Sequence, residues 1–227
     1  SGYYHHLIFG PEHVVLNIGG IANLSASRYR AGVLEVRAFD VGPGNMFSDG
    51  LAQRLLHRPY DRNGGVAARG NVLKAITRAA LARAYFERRP PKTCGREEFG
   101  ATAMERLFFR SGRPRGSTAD LLATAVEITA QSIARACERW LSRFTESRAL
   151  VVTGGGAHNQ ALMRRLQELL PAWQLISPRE WGIPDDFVEP VGFAVLGYEF
   201  ACGRPGNLGG ATGARPAILG LRALADG

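Results

Sequence analysis

Lysine is almost missing from this chain. Of 28 basic residues only Lys74 and Lys92 are lysines, and the rest are arginines. A formal charge of +8 raises the question of nucleic acid. The arginines are dispersed, however: Arg54, Arg58, Arg78, Arg83, Arg135, Arg139, Arg143, Arg164 and Arg165 fall on separate helical faces. A bias toward arginine explains that pattern at least as well as a binding stripe, so no nucleic-acid partner is expected. The densest basic segment, Arg110 to Arg115, reads as a solvated loop.

Cysteine is scarce. Cys94, Cys137 and Cys202 stand far apart without a C-x-x-C, which excludes a disulfide framework or a cysteine-based zinc site and fits a reducing cytoplasm. No apolar run approaches the ~18 residues of a membrane span, and no basic-then-apolar start suggests export. G-x-x-x-x-G-K-[ST] is absent, as is G-x-G-x-x-G opening a helix after a strand. These absences argue against a P-loop ATPase and a Rossmann dehydrogenase.

What is present is a globular composition: 227 residues, 45 % hydrophobic, enough for one large domain. Residues 13–18 form a β-branched run ending at Gly19-Gly20, and residues 22–30 and 33–40 read as two further strands turning at Arg30-Ala-Gly32. Asp40-Val-Gly-Pro-Gly-Asn45 reads as a loop, with a helix after it carrying Met46, Leu51 and Leu55. A helix is expected over 71–86, then a Pro-containing loop over 88–95. Ser117-Thr-Ala-Asp120 reads as the start of a helix running to about Phe144. Residues 148–153 form a buried-type strand that ends at Gly154-Gly-Gly156. An amphipathic helix follows over 159–170, a short strand over 173–177, a final helix over 187–203, and a Gly-rich tail over 204–213. The fold class is α/β with a mixed sheet flanked by helices.

Four glycine clusters punctuate the chain: Gly19-Gly20, Gly42-Pro-Gly44, Gly154-Gly-Gly156 and Gly209-Gly210. Without Cβ atoms, backbone N–H groups can crowd around an anion, and a helix start behind the turn adds partial positive charge. Tight turns alone would use the same residues. Two such clusters at strand ends in one α/β chain favour a nucleotide site. Beside Gly154-Gly-Gly156, His158 reads as a helix-start residue. His5 and His6 read as a tag remnant or a helix-forming segment.

Five ordered motifs resemble a known family. They are Val15-Leu-Asn-Ile-Gly-Gly-Ile-Ala-Asn-Leu-Ser25; Phe39-Asp-Val-Gly-Pro-Gly-Asn-Met46 with Asp49; Pro91-Lys-Thr-Cys-Gly-Arg-Glu97 with Phe99; Val152-Thr-Gly-Gly-Gly156 with Asn159; and Pro205-Gly-Asn-Leu208 with Thr212-Gly-Ala214. Together they resemble the anhydro-N-acetylmuramic acid kinases. The resemblance implies an actin-like, ribonuclease-H-like sugar-kinase fold, with ATP and Mg²⁺ in a cleft between two lobes. It implies a cytoplasmic enzyme of peptidoglycan recycling. Water opens the 1,6-anhydro ring, O6 takes the γ-phosphoryl group, and the product is N-acetylmuramic acid 6-phosphate.

Carried onto this chain, the resemblance makes Gly19 and Gly20 the second phosphate turn. Gly154, Gly155, Gly156 and Asn159 become the adenosine-side turn. Asp40, Gly42, Gly44 and Asn45 become a loop near the cleft, and Arg96, Glu97 and Glu127 become sugar-side residues. Each has a plainer reading: Asp40 as a loop cap, Arg96 with Glu97 as a surface ion pair, and Glu127 as a solvated helix position. No metal ligand set is assigned.

Departures from the family pattern are also visible. Val41 stands where Thr is common, and Pro190 fits its helix only in the first turn. The family's Gly-Thr-Ser-x-Asp-Gly-x-Asp loop and its Asp-Phe-Arg general base are not in this sequence, and Ser1 is not a Met. The expectation is therefore a C-terminal nucleotide-binding lobe over 1–227, inactive alone, with apolar surface where a first lobe would pack. No catalytic residue is assigned within it. Expected partners are the anhydro sugar and either a second copy or a separate N-terminal lobe, with no membrane contact. The alternative is a non-catalytic ATP-binding lobe, or one half of a split or degenerate kinase.

Overall fold

The computed structural model describes residues 2–207 and 215–220. Leu208, Gly209-Gly210 and Thr212–Ala214 of the glycine-rich tail lie outside the described residues.

The chain opens with helix α1 (Gly2–Phe9). Three strands follow, β1 (Val14–Ile18), β2 (Ile21–Arg30) and β3 (Val33–Pro43), then α2 (Met46–Leu56). Next come α3 (Lys74–Leu81), α4 (Arg96–Phe99) and α5 (Ala101–Phe108). A two-residue hairpin, β4 (Phe109–Arg110) and β5 (Arg113–Pro114), precedes the long helix α6 (Thr118–Ala136). The final unit is β6 (Ala149–Thr153), α7 (Gln160–Leu169), β7 (Gln174–Ile176) and α8 (Val188–Ala201). The sheet order is β3-β2-β1-β6-β7. β1 pairs antiparallel with β2 and parallel with β6, so the sheet is mixed as expected.

β1 is apolar on both faces because both faces are covered. Val14, Leu16 and Ile18 enter the main core, which α2, α6 and α7 build with Phe47, Leu51, Leu122, Ile133 and Leu166. Val15 points the other way, into a smaller cluster with Phe9 of α1, Val151, Ile176 and Val188 of α8. α6 is the central helix, buried along most of its length. The Ser117 hydroxyl caps it by accepting from the Asp120 N–H at 3.1 Å, a contact of about 1 kcal/mol.

Several boundaries differ from expectation. The helix expected over 71–86 is only α3, because the preceding N–H groups are claimed by α6. Asn71 donates to the Asp120 carboxylate at 2.7 Å and Leu73 to the Thr124 hydroxyl at 2.9 Å. Beyond α3, Arg83 is extended and Ala84–Glu87 forms a separate 3-10 turn. α6 gives way to a π turn over Cys137–Leu141 instead of continuing to Phe144. β3 runs through Asp40 and Val41 to Pro43, across a bulge opposite Ala22 and Asn23. α8 starts at Val188, which puts Pro190 in its first turn, where the missing N–H costs nothing. Apolar surface is exposed on α8, where Phe193 and Tyr198 are 67 % and 63 % accessible.

The tag-remnant reading of His5 and His6 is overturned. Both lie in α1 and are tied to β2: His5 Nδ1 sits 2.7 Å from Ser25 Oγ, and His6 Nδ1 sits 2.8 Å from Ser27 Oγ. His5 is 2 % exposed, and burial lowers its pKa from 6.5 to about 3. Its neutral ring is part of the fold. Between pH 6.5 and 3 the unfolded chain binds a proton that the folded chain refuses, so stability falls on acidification by up to about 1.4 kcal/mol per pH unit. Urea midpoints measured from pH 7.5 to 4.5 should fall for the natural chain and fall less steeply for His5→Asn.

Candidate functional site

Parallel pairing of β1 with β6 sets the geometry. The register runs from Val14 opposite Leu150 to Asn17 opposite Thr153, so both strands end at the same edge of the sheet. Gly19-Gly20 and Gly154–Gly156 therefore emerge side by side. The contact between them leaves no room for side chains. Gly154 has φ +81°, and a Cβ there would lie 2.4 Å from Asn17 Oδ1. A Cβ on Gly156 would lie 2.2 Å from Ile18 Cγ2. Gly155 is different: the nearest atom to its Cβ position is Asn45 Nδ2 at 3.8 Å. Two glycines of the triplet are needed for packing, and the middle one faces open space.

The Gly42–Asn45 segment closes the third side. A Cβ on Gly44 would meet the Gly19 carbonyl at 2.3 Å. Gly44 and Met46 donate to the Gly20 carbonyl at 2.9 and 3.1 Å, and Asn45 donates to the Gly19 carbonyl at 2.8 Å. In a trans peptide the C=O and the next N–H point opposite ways. The Gly20 N–H is thus turned away from the start of α2. Asn45 also reaches the Ile18 carbonyl with Nδ2 at 3.4 Å and stands beside Gly155, so one side chain touches both glycine turns. The Thr129 hydroxyl on α6 holds the segment from beneath by donating to the Gly44 carbonyl at 2.8 Å. Asn159 caps α7 by accepting from the Leu162 N–H at 3.1 Å.

Beside these turns lies a cavity of about 450 Å³, lined by Asn45, Asp49, Tyr60, Gly155, His158 and Asn159 among others. Asp49 sits in the first turn of α2, one helical turn after Asn45. Its carboxylate makes no ion pair among the described residues, and burial pushes its pKa up from 3.8 to about 6. Sequence reasoning quoted Asp49 within a motif and gave it no role. Its helical spacing from Asn45 was the available signal. His158 closes the 3-10 turn before α7, as expected, with Nε2 3.0 Å from Asp186 Oδ1.

The other expected residues are not gathered here. Asp40 accepts from Asn23 Nδ2 at 2.9 Å and from the Cys94 N–H at 3.0 Å, and its carbonyl accepts from the Tyr85 hydroxyl at 2.7 Å. It fastens the 88–95 loop to β3, and it caps neither its own loop nor α2, contrary to the plainer reading. Gly42 (φ +154°) lies against the Phe86 ring. Arg96 and Glu97 are exposed at the start of α4, and neither makes an ion pair among the described residues, so the surface-pair reading fails. Glu127 is buried, not solvated. It takes a bidentate contact from Arg165, at 2.6 and 2.9 Å, and a third bond from Gln131 Nε2 at 2.6 Å. Burial acts to raise its pKa, but these donors outweigh it and hold the carboxyl below its usual range. Two residues separate Glu127 from Thr129, about 200° around the helix, so Glu127 faces away from the glycine turns.

The family model described as anhydro-N-acetylmuramic acid kinase matches residues 3–224. The chain belongs to that family. It is 39 % identical to the anhydro-N-acetylmuramic acid kinase of Shewanella pealeana over 98 % of this chain and 59 % of the relative. It is 40 % identical to that of Gloeobacter violaceus over 91 % of this chain and 54 % of the relative. The chain thus spans a little over half the length of these kinases. Among solved structures, the activator of the 2-hydroxyisocaproyl-CoA dehydratase from Clostridium difficile, with bound ADPNP, matches with a TM-score of 0.53. That match covers 88 % of this chain and 65 % of the other at 15 % identity. Identity that low speaks to the fold alone, a mixed five-stranded sheet flanked by helices.

Two substitutions separate packing from exposure at the kinase-family turns. Gly156→Ala should lower stability by about 1–3 kcal/mol through overpacking against Ile18, while Gly155→Ala should stay within about 0.5 kcal/mol. Thermal melts check both. Asp49, with its folded pKa raised, favours its neutral form in the fold. The associated stability is complete below about pH 4 and lost as pH rises through 6. Asp49→Asn should therefore raise Tm at pH 7.5, by about 1 kcal/mol after screening, and leave it unchanged near pH 3.5.

Proposed function

We propose that this chain is the C-terminal, nucleotide-holding lobe of a kinase acting on 1,6-anhydro-N-acetylmuramic acid. The observation that carries this reading is the side-by-side placement of the two glycine turns next to a cavity of about 450 Å³. The phosphates of ATP lie against the Gly19-Gly20 turn, where the Gly20 N–H faces away from α2. The adenosine side occupies the cavity at Gly155, His158 and Asn159. The start of α7 behind the triplet adds favourable partial charge. Asn45 sets the spacing between the two turns.

Mg²⁺ bound with a nucleotide usually takes one or two protein carboxylates and completes its shell with phosphate and water. Among the described residues no group of three or more His, Cys, Asp or Glu could hold a metal by itself. Asp49, with no ion-pair partner in the cavity, fits the single-carboxylate case. The ion would supply neutralisation of phosphate charge.

In the reaction proposed for the whole protein, water attacks the anomeric carbon, the 1,6-anhydro bond breaks, and the freed O6 takes the γ-phosphoryl group of ATP. The product is N-acetylmuramic acid 6-phosphate, in cell-wall recycling. On this reading the general base and the first phosphate loop belong to the part of the relatives' length that this chain does not span. Arg96 and Glu97 keep the sugar-side role that the family resemblance gives them. Glu127 positions α7 through Arg165 instead of touching sugar.

Calorimetric titration of the chain with ADP and with a non-hydrolysable ATP analogue, each with Mg²⁺, should show binding. Gly155→Val should weaken it at least about tenfold without lowering Tm. Unchanged affinity in that variant would sink the site assignment. Incubation of the chain alone with ATP and the anhydro sugar should give no sugar phosphate, and turnover would remove the lobe reading.

A further inference from the structure

A second concavity, of about 620 Å³, lies between α3, α6 and α7. None of its lining residues lines the cavity at the glycine turns. It sits on the Glu127 side of α6, which the helical rotation separates from the Thr129 side.

Its charges do not balance. Glu127 is neutralised by Arg165, which is shared with Glu168 at 2.9 Å. That leaves Lys74, Arg78 and Arg135 on the same walls with no carboxylate partner among the described residues. Among the described residues Arg135 reaches only Gln131 Oε1, at 3.4 Å.

A polar group is also unsatisfied there. Thr77 is 5 % exposed, and its hydroxyl is the buried side-chain donor with no hydrogen-bond partner among the described residues. Such a group costs about 1–3 kcal/mol unless something supplies the bond. One wall is apolar, formed by Val72 and Leu81.

We propose that this groove binds a small organic phosphomonoester. Three cations and a hydroxyl donor match a group with three terminal oxygens and nearly two negative charges better than they match a carboxylate. The first turn of α3, which begins at Lys74, adds partial positive charge. The apolar wall takes the carbon skeleton, and the volume suits a sugar phosphate.

Glucose 6-phosphate, glucose and inorganic phosphate serve as probes on the full 227-residue chain, read by calorimetry and by methyl NMR. Glucose 6-phosphate should shift the methyl signals of Thr77 and Leu81 and leave that of Ala157, beside the glycine turns, in place. Glucose should shift none, and inorganic phosphate should bind more weakly than the sugar phosphate. Arg78→Gln with Arg135→Gln should weaken binding at least about tenfold. Thr77→Val is the sharper variant. It should weaken binding about three- to tenfold while leaving the ligand-free Tm unchanged or higher, since it deletes an unpartnered hydroxyl. A lowered Tm would mean that the hydroxyl serves the fold and would overturn the proposal. Shifts confined to Ala157, insensitivity to the two arginine variants, or equal binding of inorganic phosphate would overturn it as well.

Discussion

The parallel ladder between β1 and β6 is the constraint on which the site depends. Its register brings Asn17 level with Thr153, so the two following turns leave the sheet at one edge and in contact. The contact is close enough that Gly154 and Gly156 must lack side chains against Asn17 and Ile18. A shift of one residue in this pairing would invert every side chain of β6 and send Val151 into the wrong layer. Buried side chains on both faces of β1 oppose that shift.

α6 has two working sides. On one, Thr129 holds the Gly44 carbonyl and so the segment bearing Asn45. On the other, Glu127 grips Arg165 and fixes α7 behind the triplet. The helix thus positions both flanks of the glycine turns through polar contacts buried near the core. A buried carboxylate would be costly unpaired, and three donors compensate it. Removal of Arg165 would leave that charge stranded, whereas the exposed pairs elsewhere contribute little.

Much of this was legible in the sequence. The strands were visible because β-branched runs end at glycine or turn residues, and the boundaries of β1, β2 and β6 fell within a residue or two. The glycine turns were visible because a missing Cβ is written in the sequence. The less legible parts depend on distant partners. The 71–86 segment has helical periodicity throughout, yet Asp120 and Thr124 capture the N–H groups before α3. α4 was overlooked because its residues were read only as part of a motif, and α5 because residues 101–108 were given no reading. Asp40 stands in a motif that suggests chemistry, and only the fold shows its hydrogen bonds to the 88–95 loop. Glu127 had a sugar-side and a solvated reading, and its burial and direction relative to the glycine turns required knowing where α6 meets Arg165 and Gly44. Of the two readings of His5 and His6 the helix-forming one holds, and nothing local marks Ser25 and Ser27 as their partners.

The shortage of lysine has a practical consequence in three dimensions. Lys92 is buried, its ammonium donating to the Tyr85 carbonyl at 3.2 Å and lying over the Tyr85 ring. Lys74 is exposed at the start of α3. Apart from the terminal α-amine, one side-chain amine is therefore open to reagents. Acylating chemistry, usually indiscriminate on a basic protein, becomes on this one a way to place a single fluorophore or cross-linker at the mouth of the α3–α6–α7 groove.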